Sequence, residues 1–283
     1  FPYTTLFRSI FFKGFNFGID YTGGTILDIQ FAQTTQVSDV RNDLKNFGLE
    51  GATIQVSGQG ESGESGHEIM IRTRNLSAEE SKEILSSLAT NVGSNEVKRI
   101  ETVGAVIGSE VTKHAILNLV VAFIVLAAYI SYRFEMRVAV STLTAIFHDM
   151  IMVLGVFSFF QLEIDASFLA AILTVVGYSM NEAVVIFDRI RENTHTHKRT
   201  DSFADLANDS IKQTIHRSIY TLSTVLFATG SLYIFGGDTT KNFALCMIVG
   251  FISGAYSAIC VATSIWSIWK SRDKNDMRNK ANA

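Results

Sequence analysis

The sequence predicts a membrane α-helical bundle with a small α+β, ferredoxin-like extracytoplasmic domain. Three observations carry that fold class. Beyond residue 113 the chain falls into five apolar runs of membrane-spanning length. Ahead of them, two strand–helix–strand halves follow one another. Basic residues crowd the connections on one side of the runs and avoid the other.

Of the 283 residues, 47% are hydrophobic and 18% charged, and the mean hydropathy is +0.24. That charged fraction is below the roughly 25% of an ordinary globular domain, and the charge is unevenly placed. The apolar runs are Ala115–Tyr132, Val138–Phe160, Ala166–Phe187, Ser218–Phe235 and Asn242–Trp269. Each reaches the ~17–25 residues that cross ~30 Å of hydrocarbon at about 1.5 Å per residue. Only 161–165 separates the second run from the third, so these two must form a tight antiparallel pair.

The net charge of −3 says little and gives no reason to expect nucleic acid as a partner. The placement of Lys and Arg says more. Arg133 and Arg137 follow the first run. Arg189, Arg191, Lys198, Arg199, Lys212 and Arg217 follow the third, and Lys270, Arg272, Lys274, Arg278 and Lys280 occupy the tail. The two loops on the opposite side, 161–165 and 236–241, hold only Lys241. By the positive-inside rule the C-terminus is cytoplasmic, and with five spans the N-terminal domain lies outside. A soluble domain reaches the outer side behind a signal or anchor helix, and FPYTTLFRSIFFKGFNFGID is too short and too broken to be one. A further span is therefore expected ahead of this sequence, giving six spans and a cytoplasmic N-terminus. The opening FPYTTLFRS resembles the translation of a sequencing-library adapter, which would make Pro2 foreign. The expected organisation is a non-native segment 1–9, an extracytoplasmic domain 10–108, a transmembrane domain 109–270 and a cytoplasmic tail 271–283.

Within the outer domain GTILDIQF (24–31), ATIQVSG (52–58) and HEIMIRT (67–73) alternate as strands do. Val40, Leu44 and Phe47 keep helical spacing within Val37–Phe47. Ser77 with Glu80 forms a capping box for a helix over 78–91, and EVKRIETV (96–103) closes the domain as a strand. The order βαββαβ is that of a ferredoxin-like fold. Gly58, Gly60 and Gly63 formally match GxGxxG, but a strand follows instead of a helix and Glu61 and Glu64 would repel phosphate, so the segment reads as a hairpin tip. No zinc spacing appears, and His67-Glu68 lacks a second His four residues on. No cofactor, metal or catalytic residue is nominated, and the domain reads as a binding or lever module. Cys246 and Cys260 lie fourteen residues apart on the last run, roughly 21 Å along a helix, so they cannot pair with each other.

Ionisable residues inside spans cost about 2.5–3.5 kcal/mol each on insertion scales and are functional candidates by default. His148 and Asp149 fall at the centre of the second run, where an interhelical structural pair and a proton relay both fit. Glu182, beside Asn181, falls near the cytoplasmic end of the third. Arg217 stands at the start of the fourth, where snorkelling to the headgroups competes with a role inside the bundle. Burial favours the neutral form of a carboxyl group and a nearby guanidinium favours the charged form. A carboxyl alternating between those surroundings is a workable proton carrier. Glu182 and Arg217 share a leaflet, and Asn181 could orient the acid or bond across helices. Asp188, Arg189, Arg191 and Glu192 lie at or beyond the interface. Gly250 and Gly254, with Ala258, form a close-packing face.

Together these residues resemble the SecF type of the bacterial SecD/SecF export family, of the RND superfamily. The likeness runs over nearly all of 14–270. FNFGIDYTGGT (15–25), containing Gly18, Asp20, Gly23 and Gly24, resembles the family's FxxGIDFxGGT. VGAVIGSE (103–110) resembles VGPxVGxE, with Ala105 where proline is usual. YRFEMR (132–137), His148-Asp149, Gly177 with Asn181-Glu182, FDRIREN with Asp188, Arg189 and Glu192, and LYIFGG (232–237) keep the family's order and spacing.

The resemblance implies a multi-pass protein of the bacterial inner membrane. It implies a partnership with SecD and use of the proton-motive force to help unfolded polypeptides through SecYEG, with YajC and YidC as further partners and lipid around the spans. It maps the family's intramembrane aspartate onto Glu182 and its arginine near the fifth span onto Arg217. Glu for Asp adds a methylene, and Ala105 for proline is expected to loosen the junction after the outer domain. Two other readings stand beside a translocase subunit: half of a proton-coupled small-molecule exporter, for which the outer domain is small, and a membrane scaffold that stabilises a translocon without transducing energy. An intramembrane protease is disfavoured by the absence of HExxH and of a serine-nucleophile setting.

Overall fold

The computed structural model describes residues 2–57, 65–195 and 202–281. It divides into two units, Phe17–Ala115 and the remainder, Phe1–Asn16 with Ile116–Ala283.

In the first unit a helical turn, α2 (Ile19–Thr22), leads through Gly23 into the long strand β2 (Gly24–Gln36). Helix α3 (Val37–Lys45), strands β3 (Thr53–Ser57) and β4 (Ser65–Thr73), helix α4 (Ala78–Asn91) and strand β5 (Asn95–Val103) follow. The sheet order is β3-β4-β2-β5, and every neighbouring pair is antiparallel. Two βαβ halves thus place their first strands side by side at the centre, as the ferredoxin-like reading requires. Leu27, Ile29 and Phe31 of β2 and Ile69 and Ile71 of β4 are fully buried against Val40 and Leu44 of α3 and Ile84 and Leu88 of α4. This is the one-face alternation expected of a half-covered sheet.

The capping box opens α4 as its spacing predicts. Ser77 Oγ accepts the Glu80 N–H at 3.2 Å, and Glu80 Oε2 accepts the Ser77 N–H at 2.9 Å. Arg74 reaches the other Glu80 oxygen at 2.9 Å. With that guanidinium bond first and the Ser77 backbone bond second, the Glu80 carboxyl titrates well below its ordinary 4.5, at about 2. Gly58, Gly60 and Gly63 lie outside the described residues.

The second unit contains five helices long and apolar enough to span a membrane. They are α5 (Ala105–Arg133, whose first turns belong to the first unit), α6 (Met136–Phe160), α7 (Ala166–Thr194), α8 (Phe203–Phe235) and a composite fifth span. The fifth span consists of α9 (Asp238–Ser257), a π-helical turn over Ala258–Ala262 and α10 (Thr263–Ala281). The chain is thus a multi-pass membrane protein. Short strands β1 (Asn16–Phe17) and β6 (Glu163–Ile164) complete the element list among the described residues.

The tight α6–α7 turn has two local causes. Gln161 takes a left-handed conformation at φ 54°, ending α6. Asp165 then caps α7 by accepting the Phe168 N–H at 2.8 Å, a favourable N-cap. At the bundle centre α9 packs against α6, α7 and α8. Gly250 and Gly254 allow that approach. A Cβ on Gly250 would collide with the Val175 side chain, and one on Gly254 would lie 3.2 Å from Ser179 Cβ.

Boundaries differ from the sequence reading at both ends, and between them the sheet-bearing unit runs on to Ala115 instead of ending at residue 108. Helix α1 (Pro2–Phe12) and the residues up to Asn16 group with the spans, so the sheet-bearing unit begins at Phe17 instead of Ile10. Gly155 explains the contact: it presents no side chain, so Leu6 Cβ comes within 2.9 Å of where a Cβ would stand. Ser9 Oγ then reaches the Gly155 carbonyl at 3.3 Å, and Ser158 Oγ donates to the Gly14 carbonyl at 2.7 Å. At the other end, the expected tail from 271 continues as helix to Ala281.

Candidate functional site: two buried carboxyl groups

Among the described residues the bundle interior holds two carboxyl groups, Asp149 of α6 and Glu182 of α7, with 1% and 2% of their surfaces exposed. A buried polar group is tolerable when its hydrogen bonds are made inside the protein, so the donors around each acid define what it can do.

Asp149 is surrounded by donors from three helices. Ser179 of α7 and Ser257 of α9 reach Oδ2 at 2.5 and 2.6 Å, while Ser253 of α9 reaches Oδ1 at 2.7 Å. His148 Nδ1, on the same helix as the acid, lies 3.2 Å from Oδ1. Four contacts fill the lone-pair sites of a carboxylate. Ser253 and Ser257 are one turn apart on one face of α9, so a single helix supplies both oxygens. The His148 side chain is 25% exposed and faces the Tyr256 ring, with centroids 6.4 Å apart.

Glu182 is served sparsely. Thr221 of α8 donates to Oε1 at 2.8 Å, and the same hydroxyl lies 3.1 Å from the Arg217 carbonyl and 3.0 Å from the Ser218 carbonyl. One hydrogen is therefore shared among three acceptors. On α8, Ser218 Oγ is buried without a hydrogen-bond partner among the described residues. Tyr178 stands one turn before Glu182 on α7, close to both Glu182 and Thr221. A buried hydroxyl without a partner, such as that of Ser218, is a place where ordered water is expected.

The other residues singled out in the sequence fall in different places. The Arg217 side chain is exposed, and among the described residues no cation pairs with Glu182. Arg217 meets the acid's surroundings through its backbone carbonyl. Asn181 is exposed. Gly177 has open space around it. Asp188 pairs with Arg133 across α5 and α7 at 3.1 Å, and Arg189 pairs with Glu192 along α7 at 2.6 Å, all of them partly or well exposed.

Gly18, Asp20, Gly23 and Gly24 lie in the other unit and build a turn. Gly18 N-caps the helical turn that contains Asp20, and Gly23 and Gly24 adopt φ 72° and 135°. A Cβ on Gly23 would meet Ala105 Cα at 2.8 Å, and one on Gly24 would meet the Thr73 carbonyl oxygen at 2.5 Å. The two glycines thus bring the FNFGIDYTGGT segment against the start of the VGAVIGSE helix, a contact that linear spacing does not reveal. Ala105 occupies the first position of α5, where proline is also well tolerated.

Residues 83–272 match the family described as protein export membrane protein SecD/SecF, C-terminal, and residues 8–35 match the SecD/SecF GG motif. The chain belongs to the SecD/SecF family. It is 44% identical over 266 residues to the protein translocase subunit SecF of Acidaminococcus fermentans, covering 94% of this chain and 91% of that protein. It is 37% identical to that of Haemophilus influenzae, with 91% and 78% covered. Among solved structures it is similar to SecDF of Thermus thermophilus, a translocon-associated membrane protein, with a TM-score of 0.84 and 33% identity. That match covers 95% of this chain and 38% of the SecDF chain. The family's GG motif is thus the turn built by Gly23 and Gly24.

The serines around Asp149 were not found from the sequence. Ser179, Ser253 and Ser257 are ordinary residues for membrane helices and stand up to 78 positions apart in the numbering. The usable signal was the acid itself, which demands donors, together with the i, i+4 serine pair beside Gly254.

Proposed function

We propose that this SecD/SecF protein acts as the SecF subunit of an inner-membrane protein translocase. In this reading it pairs with SecD, beside SecYEG, and uses the proton-motive force to help unfolded polypeptides across. Glu182 is the proton-carrying acid. The observation that supports the reading is a carboxyl group inside the bundle whose Thr221 hydroxyl donor is shared with two backbone carbonyls. An acid held this loosely can change protonation without dismantling a hydrogen-bond network.

Thr221 would orient the carboxyl and Tyr178 would stand at its side, while the Arg217 guanidinium, exposed here, would favour the charged form in states where it turns inward. The names of the relatives support a translocase subunit, and the SecDF likeness supports the SecD partnership. The basic connections support a cytoplasmic C-terminus and an outer Phe17–Ala115 unit. YajC and YidC remain further partners of the same reading.

The test is export of a reporter precursor into membrane vesicles with and without an imposed proton gradient. Glu182→Gln is expected to lower gradient-dependent export about fivefold or more, the lower end of an ordinary coupling free energy. Glu182→Asp, which keeps the acid, is expected to retain export. Full gradient-dependent export in a normally assembled Glu182→Gln protein would overturn the proton-carrier role and favour a scaffold.

A further inference from the structure

Of the three serines on Asp149, Ser257 alone has a second acceptor in reach: its Oγ is 2.6 Å from Asp149 Oδ2 and 3.2 Å from the Gly254 carbonyl. Ser179 and Ser253 make no other side-chain hydrogen bond among the described residues. A hydroxyl has one hydrogen, so Ser257 must choose. It is also the residue at which the fifth span changes form, because the π-helical turn Ala258–Ala262 starts immediately after it and packs against α6. Single π turns within α-helices occur frequently at functional sites.

We propose that His148 and Asp149 form a second proton-binding pair in the bundle, and that Ser257 transmits its state to the π turn. The idea rests on the proton-coupled reading above and adds a site to Glu182. With a hydrogen on Nδ1, the His148 imidazolium passes its proton to Asp149 Oδ1. The N–H bond breaks and its electron pair stays on the ring, an Oδ1 lone pair forms the O–H bond, and the two opposite charges vanish together. Hydrogen bonds onto an ionised group are roughly twice as strong as neutral ones. While Asp149 is ionised, Ser257 donates to Oδ2. Once the acid is neutral, Ser179 remains on Oδ2 and Ser257 turns to the Gly254 carbonyl. The tie between α6 and the last turn of α9 then opens just ahead of the π turn. Loss of the proton restores it.

Few other charges complicate this pair. From α7, Ser179 faces Asp149, and the nearest titratable groups are Tyr178 and Glu182. From α9 there are Tyr256, against His148, and the buried Cys246 more than two turns away. The π turn carries Cys260, which is exposed. The cations of α1, Arg8 and the neighbouring Lys13, contact Phe12 and Phe159, with Phe159 ten residues along α6 from the acid. Lys270 of α10 is held by Glu135 at 2.7 Å at the opposite end of α6.

Cys260 supplies the readout. A trifluoromethyl tag on it, in the full chain with Cys246→Ser in lipid nanodiscs, reports the π turn by fluorine NMR. The resonance is expected to move between two positions as the pH is lowered and the pair takes up its proton. Ser257→Ala is expected to hold it at the low-pH position throughout, Ser257→Thr to keep the titration, and His148→Gln to remove it. Thermal melting of each variant checks its fold. A wild-type resonance that does not titrate, or a Ser257→Ala protein that titrates like wild type, would refute the proposal. Glu182→Gln separates the two readings. It leaves the Cys260 titration in place, so intact export in that variant would sink the Glu182 role while the π-turn switch stands.

Discussion

Asp149 and Glu182 sit on neighbouring helices of one bundle and are equally buried, yet they are solvated in opposite ways. Asp149 receives three hydroxyls and an imidazole, and two of the hydroxyls come from one face of α9. Glu182 receives one hydroxyl, whose hydrogen two backbone carbonyls also contest. In a medium without water, each bond to the first acid is also a tie between helices. The second acid ties α7 to α8 through a single shared hydroxyl. Burial alone therefore does not say how firmly an acid is held. The count and origin of the donors say it.

The sharpest way to break this contrast is to remove each acid and measure unfolding of the chain in mixed micelles. Asp149→Leu strands the buried Ser179 and Ser253 hydroxyls, while Ser257 can turn to the Gly254 carbonyl; at about 1–3 kcal/mol for each unsatisfied group, a loss of about 2 kcal/mol or more is expected. Next in size is the packing that brings Ser179 and Ser253 within reach of Asp149. Gly250→Ala drives a methyl into the stiff Val175 side chain and should cost about 1–3 kcal/mol by overpacking. Gly177→Ala, which meets nothing within 4 Å, should instead stabilise by about 0.5–1 kcal/mol through helix propensity. Equal effects of the two substitutions would show that α9 does not pack as closely on α7 as described.

Glu182→Gln should change unfolding by less than about 1 kcal/mol, because the amide oxygen can still accept the Thr221 hydroxyl and one hydrogen bond is worth about that much. A loss as large as that of Asp149→Leu would erase the distinction between the two acids. The smallest effect lies outside the membrane, at Glu80, a surface carboxyl with an Arg and a serine cap. Its folded-state titration at about 2, below the ordinary 4.5, makes its contribution fully present above about pH 4.5 and lost as the pH falls toward 2. Amide exchange at the start of α4 should quicken over that window in the parent protein and stay flat in Glu80→Gln.

Much of the sheet-bearing unit was legible because its signals are local. Alternation at 24–31 and 67–73 and the Ser77–Glu80 box depend on neighbours a few residues away, and β2, β4 and α4 follow them closely. The spans were legible as apolar lengths, and the two central acids as residues out of place. What remained hidden depends on long-range geometry. No pattern along the chain announces that Ser179, Ser253 and Ser257 converge on Asp149, or that the Arg217 side chain points away while its carbonyl takes part. The start of α8 was hidden for another reason. Residues 203–217 are polar enough to escape a search for apolar runs, yet Leu206, Ala207, Ser210 and Thr214 keep helical spacing and are buried. The π turn left no mark in residue type at all.

That early start gives α8 an unusual shape for a span. Its apolar portion ends at Ser218, and the helix continues through Phe203, so about 22 Å of continuous helix projects past the hydrocarbon at about 1.5 Å per residue. Asn193 of α7 bonds Ser210 and Gln213 on this projection at 2.9 and 3.2 Å, so two helices share the load there. A rod of that length magnifies angle into travel. Tilting the span by about 10° would carry its far end roughly 4 Å sideways, on the rise per residue of an α-helix. A change of less than an ångström around Glu182 and Thr221 would thus arrive at the basic connection before α8 as a displacement larger than a hydrogen bond is long.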